Sequence, residues 1–117
     1  METTYQPKAL TANELQALSQ EVKQALTELY GDRLDQVILY GSYARGDFHA
    51  ESDVDYMIVL FDESIQAGKE VRRMSPIMGP LSLKYAVEVS IFPVAIDKYR
   101  LGYTLFYQAV QQEGMAI

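Results

Sequence analysis

The sequence predicts a small α/β domain, a mixed β-sheet flanked by helices, built as one unit over residues 1–117. Three observations point there. Two short apolar runs, at residues 37–40 and 54–61, are rich in β-branched and aromatic side chains, as buried strands are. The second run is apolar on both faces beyond Asp55, which requires cover on both sides. Around these runs, apolar residues recur every three or four positions, the spacing of amphipathic helices.

The elements follow in order. The first ten residues hold Pro7 and no clear period, so they read as a loose lead-in. Thr11 and Glu14 form the Thr-x-x-Glu pattern of a capping box, and Leu15, Leu18, Val22, Leu26 and Leu29 continue as one stripe, which predicts a helix over residues 12–30. Gly31-Asp32 stops it, and residues 37–40 form the first strand. Residues 54–61 form the second, central strand. Between residues 62 and 83, Ile65, Val71, Met74, Ile77 and Met78 indicate a helix that Pro76 and Pro80 should end or kink. Residues 85–92 predict a third strand, with Val87, Val89 and Ile91 on one face and Ala86, Glu88 and Ser90 on the other. From residue 97 to 112, Leu101, Leu105, Phe106, Ala109 and Val110 mark a last helix with its apolar side in the core, and Gly114 stops it. The tail, residues 115–117, is too short to assign. No repeat, linker or low-complexity tract divides the chain.

Composition narrows the function. With 117 residues, 49% of them hydrophobic, the chain suffices for one core without staples. It has no cysteine, which excludes disulfides, thiolate metal sites and a cysteine nucleophile and fits a cytoplasmic protein. The start lacks the pattern of a signal peptide, and no apolar stretch approaches the roughly 20 residues that span a bilayer, so no membrane association is expected. Sixteen acidic against ten basic residues give a formal net charge of −6, which opposes general nucleic-acid binding.

The chemistry concentrates at residues 41–55, a polar stretch framed by the first two strands. Asp53 and Asp55 stand two apart at the start of a strand, so both carboxylates project to one face, about 6.6 Å apart along the backbone. Such a pair repels itself unless a cation lies between, and hard oxygen ligands favour magnesium. Gly41-Ser42 follows the first strand, and a short helical turn capped by Ser42 and running to Arg45 would present backbone N–H groups to an anion. Phosphate beside metal implies phosphoryl chemistry, in which two ions clamp the attacking and leaving oxygens. A third carboxylate would complete the metal shell and take the acceptor's proton. Glu88, on the polar face of the third strand, is the candidate.

Gly41-Ser42, a glycine four residues after that serine, Ser52-Asp53-Val54-Asp55 and the apolar strand behind them resemble the signature of the DNA polymerase β-like nucleotidyltransferases. Length and element order resemble the superfamily's minimal (MNT-type) members over nearly the whole chain. The resemblance implies that fold, with Gly41, Ser42 and Ser52 as nucleotide-binding residues, Asp53 and Asp55 as ligands of two Mg2+ ions, and ATP as substrate. The family's third carboxylate is usually an aspartate on the next strand, and Glu88, one methylene longer, takes its place here as metal ligand and catalytic residue. Minimal members are often antitoxins that silence a HEPN-domain ribonuclease toxin by transferring AMP to one of its tyrosines. A toxin of that kind is therefore the expected partner, and the expected activity is that of a protein adenylyltransferase. The alternatives are transfer to a small molecule such as an aminoglycoside, and a non-catalytic module that neutralises its partner by binding. Oligomeric state is left open.

Other polar residues carry weaker signals. Arg45 reads as an exposed turn arginine, and His49, the one histidine, as a surface residue. Lys69, Arg72 and Arg73 form a small basic face that either approaches a triphosphate or is solvated. Tyr43 is a minor candidate for stacking on a base.

Overall fold

The computed structural model describes residues 8–117; the first seven positions of the expected lead-in lie outside the described residues. Helix α1 (Ala12–Tyr30) starts as its sequence demands, with the Thr11 side chain accepting from the Glu14 N–H while the Glu14 carboxylate accepts from the Thr11 N–H. It ends at Gly31, whose φ of 54° lies in the left-handed region that favours glycine. After a 3-10 turn, Gly31–Arg33, come β1 (Leu34–Tyr40), the short helix α2 (Ser42–Arg45), β2 (Val54–Leu60), α3 (Ala67–Tyr85) and β3 (Val89–Ala95). The chain closes with α4 (Ile96–Leu101), α5 (Leu105–Glu113) and β4 (Met115–Ala116).

The sheet has the order β3-β2-β1-β4 and is mixed. β1 runs antiparallel to both β2 and β4, whereas β2 and β3 are parallel and joined through α3, the crossover that parallel strands require. Both faces are covered, as the apolar pattern of β2 demands. On one, Leu18, Val22 and Leu26 of α1 and Met74 and Met78 of α3 meet Val37, Leu39, Val54, Tyr56, Ile58 and Leu60. On the other, Ile96 and Val110 cover Ile38, Met57, Val59 and Val94. Tyr56, fully buried, shares a 2.8 Å hydrogen bond with the Ser19 hydroxyl.

Four expectations change. The lead-in is not loose at its end, because Leu10 is buried and its N–H donates to the Tyr43 hydroxyl at 3.0 Å. Neither Pro76 nor Pro80 ends α3. The two prolines are four apart and both exposed, so the carbonyls left without a donor lie on the hydrated side, while Glu70, Met74 and Met78 keep the buried stripe. The third strand begins at Val89 rather than residue 85, because α3 runs on to Tyr85 and Ala86 caps it with a φ of 52°. Glu88 therefore stands just before the strand. The predicted last helix is two, broken at Gly102 with a φ of 58°, and Leu101 and Leu105 are 76% and 83% exposed instead of buried. The unassigned tail pairs with β1 as β4.

At the far end of β2 a buried charge, Glu70, is held by Tyr30 (3.0 Å) and Arg33 (3.2 Å), and Arg33 also forks onto Asp62. The basic face of α3 belongs to this end: Arg73 lies 3.7 Å from Glu70, and Lys69 lines the same hollow. This is roughly 20 Å along β2 from Asp55, which excludes these cations from the 41–55 region.

Candidate active site

Residues 41–55 gather at the end of the sheet where β1 finishes and β2 begins. Gly41, not Ser42, is the N-cap of α2, and its φ of 75° favours glycine. A second constraint acts on the same atom. A Cβ added at Gly41 would overlap the Asp55 carboxylate, so the turn and the acid are in direct contact only because the side chain is absent. Ser42 is the first helical residue, and the helix-start N–H groups of Ser42 and Tyr43 have no helical acceptor. The Ala44 and Arg45 N–H groups fold back onto the Gly41 carbonyl at 3.1 and 3.0 Å and close the turn.

Asp53 is exposed and Asp55 half-buried. Met57 and Val59 face the α4–α5 side, and alternation along β2 puts Asp53 and Asp55 on that same face. Tyr40 pairs with Asp55 across β1, and Ser90 pairs with it across β3. Burial pushes the Asp55 carboxyl above the usual carboxylate range, the Asp53 charge adds to this, and the Arg45 guanidinium partly offsets it. Burial, helped by the Asp55 charge, likewise pushes the Tyr40 hydroxyl up to about 12. Two carboxylates on one face form a hard oxygen donor set, which fits a divalent ion with positions left for water and phosphate.

Glu88 lies one register step before the Val54–Val89 pair, beside Asp53, and its carbonyl accepts from the Val54 N–H at 2.9 Å. Its carboxylate is exposed and lines a cleft with Asp53. Among the described residues, no three acidic or histidine side chains converge on one ion position, so Glu88 neighbours the aspartate pair without closing onto it. Ser52 sits in the loop before β2, its hydroxyl accepting from the His49 N–H at 2.9 Å. His49 is an exposed loop residue, as expected. Tyr43 is no base platform, since its ring is buried and stacked on Phe48 at 4.4 Å.

One residue of this end was not foreseen. Glu113, the last residue of α5, accepts from the Gly41 N–H at 3.4 Å and from Arg45 at 3.0 Å. No local pattern could have found it, because 72 residues separate it from Gly41 and only the return of α5 towards β4 joins them. Arg45, read as a solvated turn residue, is thereby the tie between α2 and α5.

A glycine turn touching a carboxylate pair at one end of a mixed sheet is the arrangement of a domain that handles phosphate and a divalent ion. The comparisons agree: the nucleotidyltransferase domain family matches residues 19–100, and the chain belongs to that family. It is accordingly a nucleotidyltransferase, of a family that acts on nucleotides and usually employs a divalent metal. A protein of Methanocaldococcus jannaschii named as a candidate protein adenylyltransferase is 39% identical over 77 residues, covering 66% of this chain and 76% of that protein. Two solved structures share the fold. One is a toxin–antitoxin complex with AMP-PNP, with a TM-score of 0.56 and 20% identity over 92% of this chain and 72% of that one. The other is a tri-AMPylated Shewanella oneidensis HEPN toxin in complex with an MNT antitoxin, with a TM-score of 0.57 and 17% identity over 86% of this chain and 69% of that one. No helix among the described residues is long and apolar enough to cross a membrane.

Proposed function

We propose that this nucleotidyltransferase moves AMP from ATP to a hydroxyl of a partner protein, a tyrosine of a HEPN-type toxin, and so acts as its antitoxin. The observation that carries the mechanism is the contact between Gly41 and Asp55, which brings the helix-start N–H groups of Ser42 and Tyr43 beside a carboxylate able to hold a metal. The partner class rests on the adenylyltransferase named in Methanocaldococcus jannaschii and on the toxin complexes that share the fold. The cysteine-free composition suits a cytoplasmic enzyme.

In this reading Gly41 and Ser42 would hold the β- and γ-phosphates, with Ser52 alongside, and Asp53 and Asp55 would hold magnesium, two ions in the full complex. Magnesium bound there would offset the negative charge that builds on the attacking and leaving oxygens. The acceptor oxygen attacks the α-phosphorus and forms a new P–O bond, while the bond to the bridging oxygen breaks and pyrophosphate departs. Glu88, which stands beside Asp53 without converging on the pair, would have to swing towards it to complete the metal site, and takes the hydroxyl proton.

A second reading, neutralisation by binding alone, is favoured by one observation: Leu101, Tyr103 and Leu105 are 76%, 74% and 83% exposed in a single turn, an apolar surface suited to a stable complex. Incubation with magnesium, ATP labelled at the α-phosphate and the protein encoded by the adjacent reading frame separates the readings. Label on the protein supports transfer. Label on an added aminoglycoside overturns the protein acceptor, and a tight complex without label leaves neutralisation by binding.

A further inference from the structure

We infer that the cleft between the loop before β2 and the α3–β3 turn is where the acceptor protein enters, with Leu83 and Val87 as the residues that recognise its hydroxyl-bearing side chain. This rests on the transfer reading above and adds the acceptor side to it. The cleft, of about 490 Å3, has Asp53 and Glu88 in its wall, with Ser52, Leu83, Ala86 and Val87 around them. Its size lies within the usual range for a site that receives one side chain or small ligand.

The location follows from the order of strands. The Gly41–Ser42 turn leaves β1, the aspartates stand on β2, and Glu88 leads into β3. In-line displacement puts the attacking and leaving oxygens on opposite sides of the phosphorus. With pyrophosphate held at the β1 turn, the attacking hydroxyl arrives from the β3 side, where the cleft opens next to Glu88. The cleft is also a built feature. The Val87 N–H donates to the Ser82 carbonyl and the Val89 N–H to the Ser82 hydroxyl, each at 3.1 Å, and the left-handed Ala86 turns the chain between them. Leu83 is left 85% exposed at the rim, although Val71, Met74, Ile77, Met78 and Leu81 of the same helix are buried or half-buried.

Composition selects the occupant. Leu83 and Val87 offer an apolar wall, and Glu51, the one acid of the cleft with no metal role in the transfer reading, keeps a negative charge beside it. A nucleic acid backbone is repelled by such a wall. A protein side chain bearing a hydroxyl and flanked by lysine or arginine meets both surfaces, so the acceptor segment is basic.

The test uses the full chain with the protein encoded by the adjacent reading frame as acceptor. Leu83→Asn should raise the KM for that protein about tenfold, the loss of one rim anchor, with the KM for ATP unchanged. A photo-crosslinking residue at position 83 should capture the acceptor within a few residues of its modified hydroxyl. Wild-type transfer with an unchanged KM in Leu83→Asn, or capture at a remote segment, overturns the cleft and leaves the transfer reading intact. Label passing to RNA or to an aminoglycoside instead of protein overturns both. If no label passes at all, the transfer reading fails and the cross-link alone decides whether the partner docks here.

Discussion

Gly41 shows how much a single position determines at this site. Its left-handed backbone and its contact with the Asp55 carboxylate are separate reasons for glycine. Gly41→Ala is therefore expected to lower transfer about 100-fold by displacing the acid and to cost about 1–3 kcal/mol in backbone strain, read by steady-state kinetics and denaturant melts. Retained activity would show that the contact is dispensable. Tyr56 makes a prediction of another kind. Burial pushes its hydroxyl up to about 12 from an ordinary value of 10.0, so above pH 10 the unfolded chain releases a proton that the folded chain keeps. The stabilising effect is complete below pH 10 and disappears as pH rises towards 12, amounting to roughly 2–3 kcal/mol. Tyr56→Phe should cost about 1 kcal/mol at neutral pH, through the unpaired Ser19 hydroxyl, and should flatten the fall of melting temperature above pH 10. Asp53, Asp55 and Gly41 were legible in the sequence because their spacing and residue types are local. Glu113 was not, since its two partners are reached only through the fold.

At the scale of elements, patterns were reliable where a single period governed them. α1 follows its capping box and leucine stripe within its predicted limits, and β2 shows the two-sided burial that its apolar run required. α3 and β3 blurred where two signals overlapped: Tyr85, Ala86 and Val87 fit a strand as well as a helix end, and the left-handed Ala86 that divides them is not a residue that announces such a turn. The prolines misled for a physical reason, because both lie on the solvated side of α3 where water replaces the lost hydrogen bonds. Pro76→Ala should then stabilise the protein by about 1–3 kcal/mol by restoring a helical donor, and a lower melting temperature would contradict this account of α3. α5 is tied to α2 through Glu113, whose carboxylate holds both Gly41 and Arg45. Glu113→Ala should raise the KM for ATP about tenfold with little change in melting temperature, whereas Glu113→Gln, whose amide oxygen still accepts, should retain most of the affinity. Equal kinetics in both variants would reduce the contact to a surface ion pair.

Across the whole molecule the two ends of the sheet have divided roles. One end carries the Glu70 network, in which Tyr30, Arg33 and Arg73 surround a buried carboxylate and fasten α1 to α3. The other carries acids with raised or exposed carboxyls, backbone N–H groups without helical acceptors, and a cleft. The fold class was readable because hydrophobic periodicity reports burial, and burial on both faces of β2 leaves few architectures. The distribution of surface was not, for Leu101 and Leu105 match the helical period of a core yet project into solvent on either side of Gly102. In the proposed mechanism Asp53 and Asp55 act on a nucleotide rather than on the fold. The most direct test of that role is transfer of label from ATP, labelled at the α-phosphate, in the presence of magnesium and the acceptor protein, comparing wild type with Asp53→Asn and Asp55→Asn. Both variants are expected to lose transfer while melting at or above the wild-type temperature without divalent cation, since each relieves a repelling pair. Full transfer by either variant would contradict the mechanism.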